Sequence, residues 1–346
     1  MAKKVRIGII GAGGIFRSRH FPGLAKVADA EVVAICNRSE ESARKIANEF
    51  GLKPDMMTSP EALIARKDVD AVMIGTWPYK HCEYVLKALD AGKHTFVQAR
   101  MAMNLMQAKA MYARAQEMGL ITQICPSPMG MKGDWVMRRL IKDGYLGDVY
   151  NIYTRSFTGG NSDSNTPLHW RQIDRFSGLN VLNMGILVEV VHRWFGYLNT
   201  LTAQAETFVK TRPLPEGGMG PVERPDTVNI MGQMANGATA AFLFSAVARF
   251  GIDPQVEAYG SEGTLIYKLN SDTILGGKVG DQELKEIPIP AKEAREWTVE
   301  QDFVSAIQGG PQGDTSFYDG VKYMEFTEAV FRSVERGATV RLPIVD

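Results

Sequence analysis

The first third of the chain alternates short β-branched apolar runs with amphipathic stretches, as successive β-α units of a parallel sheet do. Apolar runs at 5–10, 31–36, 71–75, 94–97 and 121–125 predict strands. Patterns of helical period at 16–26, 40–50, 60–65, 80–91 and 105–118 predict the helices between them. The order is that of a doubly wound sheet.

The pattern changes after Pro126 and Pro128. Beyond one further helix, runs at 149–157, 202–209, 227–234, 238–248, 255–259 and 264–269 follow one another with Gly and Asn turns between them. Strands in sequence without intervening helices predict a mostly antiparallel sheet. Helical patterns at 179–195, 300–307 and 319–336 are expected to cover one of its faces, and the Pro/Gly-rich stretch 212–225 to form an exposed loop. An uncovered sheet face needs something to pair with, which a second subunit supplies.

Composition narrows the function class. With 346 residues, 45% of them hydrophobic, and a formal charge of zero, the chain can bury a large core and has no electrostatic bias toward nucleic acid or anionic membrane. No apolar stretch reaches the roughly 20 residues of a membrane span. The partner expected is a small molecule. Cys36, Cys82 and Cys125 lie in or beside apolar runs and read as buried thiols of a reducing, cytoplasmic compartment. The basic start passes into a run broken by Arg6 and then into glycines, so no signal peptide is expected. No His or Cys spacing suggests a metal.

The candidate chemistry begins at Gly11-Ala-Gly13-Gly14-Ile15-Phe16, directly after an apolar strand and at the start of a helix. That context reads as a dinucleotide-binding loop: Gly11 permits the tight turn, and Gly13 lets backbone N–H groups approach a pyrophosphate at the positive helix end. Phe16 stands where a third glycine is usual, which predicts looser packing of helix on strand. At the end of the second strand, where a carboxylate usually receives the adenosine ribose, stands Asn37, followed by Arg38. Without that carboxylate a 2′-phosphate is not repelled, and Arg38 can pair with one, so the reading is NADP or NAD with NADP favoured.

Across its length the sequence resembles the glucose-fructose oxidoreductase, inositol dehydrogenase and rhizopine-catabolism (Gfo/Idh/MocA) family. The resemblance rests on the glycine loop, on Thr76-Trp-Pro-Tyr-Lys-His81, on Gly92-Lys-His-Thr-Phe-Val and on Asp143-Gly-Tyr-Leu-Gly147. It continues through Trp170-Arg171, Arg193-Trp194 and the run from Phe331 to Pro343. It implies two domains: a Rossmann dinucleotide-binding domain over 1–125, and an α+β domain over 126–346 whose open sheet binds substrate and makes a homodimer or homotetramer. It also implies hydride transfer between a nicotinamide and a sugar, polyol or related hydroxyl or carbonyl compound. Ile15, Thr76, Trp77, His81 and Gln98 would join the loop glycines, Asn37 and Arg38 around the cofactor.

The family's usual acid/base residues are missing. Aligned on Gly92-Lys-His94, its Glu-Lys-Pro motif becomes Gln98, Ala99 and Arg100; aligned on Arg193-Trp194, its Asp and His become Asn183 and Leu187. Oxidising an alcohol needs a group that takes a proton near neutral pH, which Ala99, Leu187 and Asn183 do not. Arg100 stays protonated and serves as a clamp for developing negative charge. His169, in a loop before the Asn183 helix, has an ordinary pKa of about 6.5 and is the expected acid/base. Arg100, His169 and Asn183 are thus the expected catalytic residues, with Trp170 stacking on a sugar face and Arg171 binding a hydroxyl or carboxylate. On the Asn183 helix, Glu189 is expected to pair with Arg193 four residues on. Two other activities use the same parts: a lyase or hydrolase that oxidises its substrate only transiently, and a cofactor-sensing regulator without catalysis.

Overall fold

The computed structural model describes residues 4–125 and 131–345. They fall into two compact units, one of residues 4–125 with 297–321, the other of 131–296 with 322–345.

The first unit is a parallel sheet of β1 (Val5–Ile10), β2 (Ala30–Cys36), β3 (Asp55–Met57), β4 (Ala71–Ile74), β5 (His94–Gln98) and β6 (Thr122–Cys125), in the order β3-β2-β1-β4-β5-β6. Strand order reverses between β1 and β4. Both sheet faces are covered, so β4 and β6 are buried at every position, and the apolar runs of the sequence are continuous rather than alternating. β3 escaped the sequence reading because three residues show no period. The connecting helices are α1 (Phe21–Leu24), α2 (Glu40–Glu49), α3 (Pro60–Ile64), α4 (Pro78–Asp90) and α5 (Leu105–Met118). Ser39 caps α2 by accepting from the Ser42 N–H, and Asn104 caps α5 by accepting from Gln107 N–H.

The helix expected over 16–26 is instead a π-turn at Phe16–His20 followed by the single turn of α1. Pro22 has no N–H with which to continue a helical ladder. Phe16 is fully buried, and its ring fills the space left beside Gly75, where any side chain would collide with it. Packing at the missing third glycine is therefore filled rather than loose.

Residues 297–321 belong with this sheet, although the division at 125/126 placed them in the second domain. Val299, Phe303 and Val304 of α9 (Val299–Ile307) are fully buried in the first core, and Thr315 bonds the Ile124 carbonyl of β6 at 2.7 Å. Each such buried side chain is worth roughly 1.5–3 kcal/mol over an exposed one, enough to hold the segment there.

The second unit holds a nine-stranded sheet, β16-β15-β14-β13-β7-β12-β11-β8-β17. Its strands are β7 (Val149–Phe157), β8 (Leu198–Glu206), β11 (Thr227–Met234), β12 (Thr239–Ser245), β13 (Gln255–Gly260), β14 (Gly263–Lys268), β15 (Thr273–Lys278), β16 (Lys285–Ile287) and β17 (Val340–Arg341). All neighbours are antiparallel except β7 and β12. β15 and β16 were not legible: one carries Gly276-Gly277, which is unfavourable in strands, and the other is a three-residue edge. One face is apolar, with Val228, Ile230, Phe242, Phe244 and Leu265 buried. Phe242 packs edge-on to Phe326 of α10 (Phe317–Arg336) and Tyr267 to Trp194 of α8 (Met184–Phe195). The other face presents Tyr153 and Met231 to solvent.

Two expectations fail locally. The stretch 212–225 is not a plain loop: β9 (Thr211–Pro213) and β10 (Met219–Pro221) form a hairpin, and Arg212 is buried. The helix expected from 179 starts at Met184, because Leu182 sits at φ 49° and breaks the ladder. No helix is long and apolar enough to cross a membrane, among the described residues.

Candidate active site

The carboxyl ends of β1 and β4, where strand order reverses, are where open α/β sheets bind ligands. Gly11 lies there at φ 81°, and a Cβ on it would come within 2.8 Å of Thr76 N, so only glycine fits. Gly13 and Gly14 are exposed, and a Cβ built on Gly14 meets nothing within 4 Å, so the loop backbone is open to an incoming group. The buried Thr76 hydroxyl has no hydrogen-bond partner among the described residues. A glycine cradle with an unsatisfied hydroxyl beside it suits the pyrophosphate and ribose of a dinucleotide. Ile15 and Trp77 are partly exposed alongside.

Asn37 does something the sequence did not show. Its Oδ1 accepts from Ala12 N–H at 2.8 Å and its Nδ2 donates to Ala12 O at 3.3 Å, so the carboxamide closes the glycine loop onto the end of β2. Arg38 is exposed beside it.

His81, fully buried on α4, is a tie between two backbone segments. Nε2 lies 2.8 Å from Thr76 O, and Nδ1 lies 2.9 Å from Arg100 O and 3.2 Å from Met101 O. Burial pushes its pKa below the ordinary histidine value, against the pull of the carbonyls. The segment it holds follows β5: the Ala99–Arg100 peptide is cis, and Arg100 is only 8% exposed, so it is no surface arginine. Gln98, at the end of β5, is equally buried.

In the second unit His169 begins a 3-10 turn, Trp170–Gln172. Its Nδ1 accepts from Arg171 N–H at 3.3 Å, while its own N–H donates to the Gln172 side chain at 3.0 Å. Such reciprocal capping puts the proton of a neutral ring on Nε2. Partial burial, then the Arg171 charge, push the His169 pKa down. The Arg171 guanidinium stacks on Trp170, 4.4 Å from the ring centroid. Asn183 precedes α8, is exposed, and donates to Ser156 Oγ at 3.3 Å; Leu187 is buried. His169, Trp170, Arg171 and Asn183 thus share the second unit, whereas Arg100 and the cofactor residues belong to the first.

Arg193 and Trp194 have structural work. Asp134, wholly buried, receives Trp194 Nε1 at 2.8 Å and is surrounded by Arg193, Arg138 and Arg295. Burial opposes its ionisation, but the three guanidiniums hold its pKa below the usual carboxylate value. Arg193 also lies 3.6 Å from Glu189, the pairing expected from spacing.

Sequence reasoning missed two features. One is Arg212, whose guanidinium donates to the carbonyls of Asn161, Asp163 and Thr166 in the loop leading to His169. The other is Glu300, a wholly buried carboxylate bound to His20. Its signal was present: Glu300 shares a helix face with Phe303 and Val304, where an apolar residue is the rule.

Comparison with known proteins identifies patterns over both units. Residues 5–125 match the pattern described as "Oxidoreductase family, NAD-binding Rossmann fold", and residues 136–266 the GFO/IDH/MocA C-terminal domain. The chain is 28% identical to 1,5-anhydro-D-fructose reductase of Ensifer adhaerens, over 97% of this chain and 98% of that protein. It is 23% identical to levoglucosan dehydrogenase of Pseudarthrobacter phenanthrenivorans, over 89% of each. A solved structure of levoglucosan dehydrogenase in complex with NADH and L-sorbose superposes with a TM-score of 0.88 at 22% identity, covering 98% of this chain and 99% of that one.

Proposed function

The chain belongs to the Gfo/Idh/MocA oxidoreductase family, and from that premise we propose that it is an NAD(P)-dependent dehydrogenase or reductase of a sugar, polyol or related hydroxyl or carbonyl compound. The observation that carries the reading is the open glycine loop beside the unsatisfied Thr76 hydroxyl, at the edge where the parallel sheet reverses its order. The substrate class is supported by relatives that act on an anhydrosugar and an anhydroketose.

When bound, the nicotinamide supplies hydride exchange with the substrate carbon. The residues of the chain do the rest. Arg100, buried and permanently charged, stabilises negative charge developing on the substrate oxygen. His169 takes the hydroxyl proton on oxidation and returns it on reduction. Its acceptor is Nδ1, whose 3.3 Å bond to Arg171 N–H is at the weak end of the range and gives way at a cost of about 1 kcal/mol. Asn183 orients a substrate hydroxyl, Trp170 offers an apolar face to the sugar ring, and Arg171 a cationic one.

NADP is the proposed preference. A carboxamide engaged by Ala12 stands where a ribose-binding carboxylate is usual, and Arg38 is exposed beside it for a 2′-phosphate. The open face of the second sheet is the proposed contact between subunits of a homodimer or homotetramer. The buried thiols of Cys36, which burial pushes up to about 11, and of Cys125 suit the reducing cytoplasm.

The test is a screen for NADH and NADPH oxidation, and for the reverse reactions, against sugars, anhydrosugars, polyols and sugar acids. Turnover with at least one compound is expected. Tight binding of a non-exchanging cofactor without net redox turnover would favour the transient-redox lyase or hydrolase instead.

A further inference from the structure

A chain of buried polar groups crosses the first unit. Trp297 Nε1 donates to Glu300 Oε2 at 2.9 Å, Glu300 Oε1 is 2.5 Å from His20 Nδ1, and His20 Nε2 bonds the Gln98 carboxamide nitrogen. The Gln98 side chain also hydrogen-bonds Cys125. His20 and Glu300 are 0% and 1% exposed, and the imidazole is enclosed by the rings of Phe16, Phe96 and Trp297. Space for the carboxylate is made by Gly23, where a methyl would collide with it.

The contact between the Gln98 nitrogen and His20 Nε2 gives the chain its direction when the ring is neutral. A carboxylate accepts only, so His20 Nδ1 carries the proton of the hydrogen bond and donates it toward Glu300 Oε1. In the neutral ring Nε2 then holds a lone pair and accepts from Gln98. Turning the Gln98 carboxamide over would set its oxygen against that lone pair. The contact with His20 thus holds the carboxamide with its nitrogen toward the ring.

We propose that His20 and Glu300 are positioning residues that lock Gln98 as the acceptor for the nicotinamide carboxamide, so that this buried pair sets how the reacting ring is held. Topology supplies the placement. A dinucleotide docked in the general way on a sheet of this order would place its adenosine half over the end of β2 and its pyrophosphate at the glycine loop after β1, which leaves the ends of β4 and β5 for the nicotinamide half. Gln98 is the last residue of β5. The inference rests on the dinucleotide reading above and goes beyond it in giving the pair a task specific to one half of the cofactor.

The experiment compares two ligands by fluorescence titration: reduced dinucleotide, and ADP-ribose or its 2′-phosphate, which lack the nicotinamide. Variants are Glu300→Gln, His20→Asn and Gln98→Leu, each checked for its thermal transition. Loss of one oriented hydrogen bond predicts reduced dinucleotide binding weakened about tenfold, with ADP-ribose binding unchanged. Equal losses for both ligands in the folded variants, or no loss for either, overturn the proposal. Should the His20 and Glu300 variants fail to fold, Gln98→Leu at the far end of the chain decides alone, by the same comparison. A wild-type protein that binds neither ligand would overturn the dinucleotide reading itself, which separates the two failures.

Discussion

Asn37 and Ala12 hold each other by two hydrogen bonds, Ala12 N–H to Asn37 Oδ1 at 2.8 Å and Asn37 Nδ2 to Ala12 O at 3.3 Å. The residue that stands where a ribose-binding carboxylate is usual thus shapes the glycine loop instead. Asn37→Asp would lose the second bond and place a negative charge near a 2′-phosphate. Carboxylate–phosphate repulsion of ~1–2 kcal/mol predicts a shift of roughly tenfold from NADPH toward NADH. Arg38→Ala should weaken NADPH and leave NADH alone. Dissociation constants of the two cofactors check both.

Arg100→Ala should lower kcat by about 10²–10³-fold, the usual cost of removing one preorganised donor to a developing oxyanion, with cofactor affinity unchanged. Arg100→Lys keeps the charge but not the planar fork and should fall between the two. Steady-state kinetics beside cofactor titration measure this.

Arg212→Met removes a buried donor from the carbonyls of Asn161, Asp163 and Thr166. Leaving them unsatisfied should cost about 3 kcal/mol of stability. Because these carbonyls belong to the loop that ends in the His169 turn, KM for substrate should rise while the first unit still binds cofactor. Chemical denaturation and KM are the measurements.

Acid should unfold the second unit partly through His192. Burial, with Lys322 nearby, pushes its pKa down to about 3 in the folded state. The unfolded value is about 6.5, so the unfolded chain binds the proton first. The stabilisation is fully present above about pH 6.5 and is lost as pH falls toward about 3, at no more than ~1.4 kcal/mol per pH unit. Between about pH 6.5 and 5, His192→Phe should flatten the dependence of unfolding free energy on pH.

Much of the fold was legible because period-driven elements need no tertiary information: β1, α5, β7 and β11 fall where the apolar pattern places them. What the pattern missed is governed by single residues acting over distance. Leu182 in the left-handed region shortens α8, Pro22 divides the first helix, and Val299, Phe303 and Val304 carry a late segment back to the first sheet. The glycine loop was legible from its strand-turn-helix context. The tasks of Asn37, Arg212 and Glu300 were not, since each follows from a partner at least 25 residues away in sequence.

Net hydride transfer to a sugar-like substrate is the step that defines the proposed activity. The direct measurement is to incubate the protein with C4-deuterated NADH or NADPH and carbonyl sugars, and to follow the label by mass spectrometry. Deuterium is expected on the carbinol carbon of a reduced product, in step with the cofactor consumed. Cofactor bound tightly, with no label transferred to any compound, would contradict that activity.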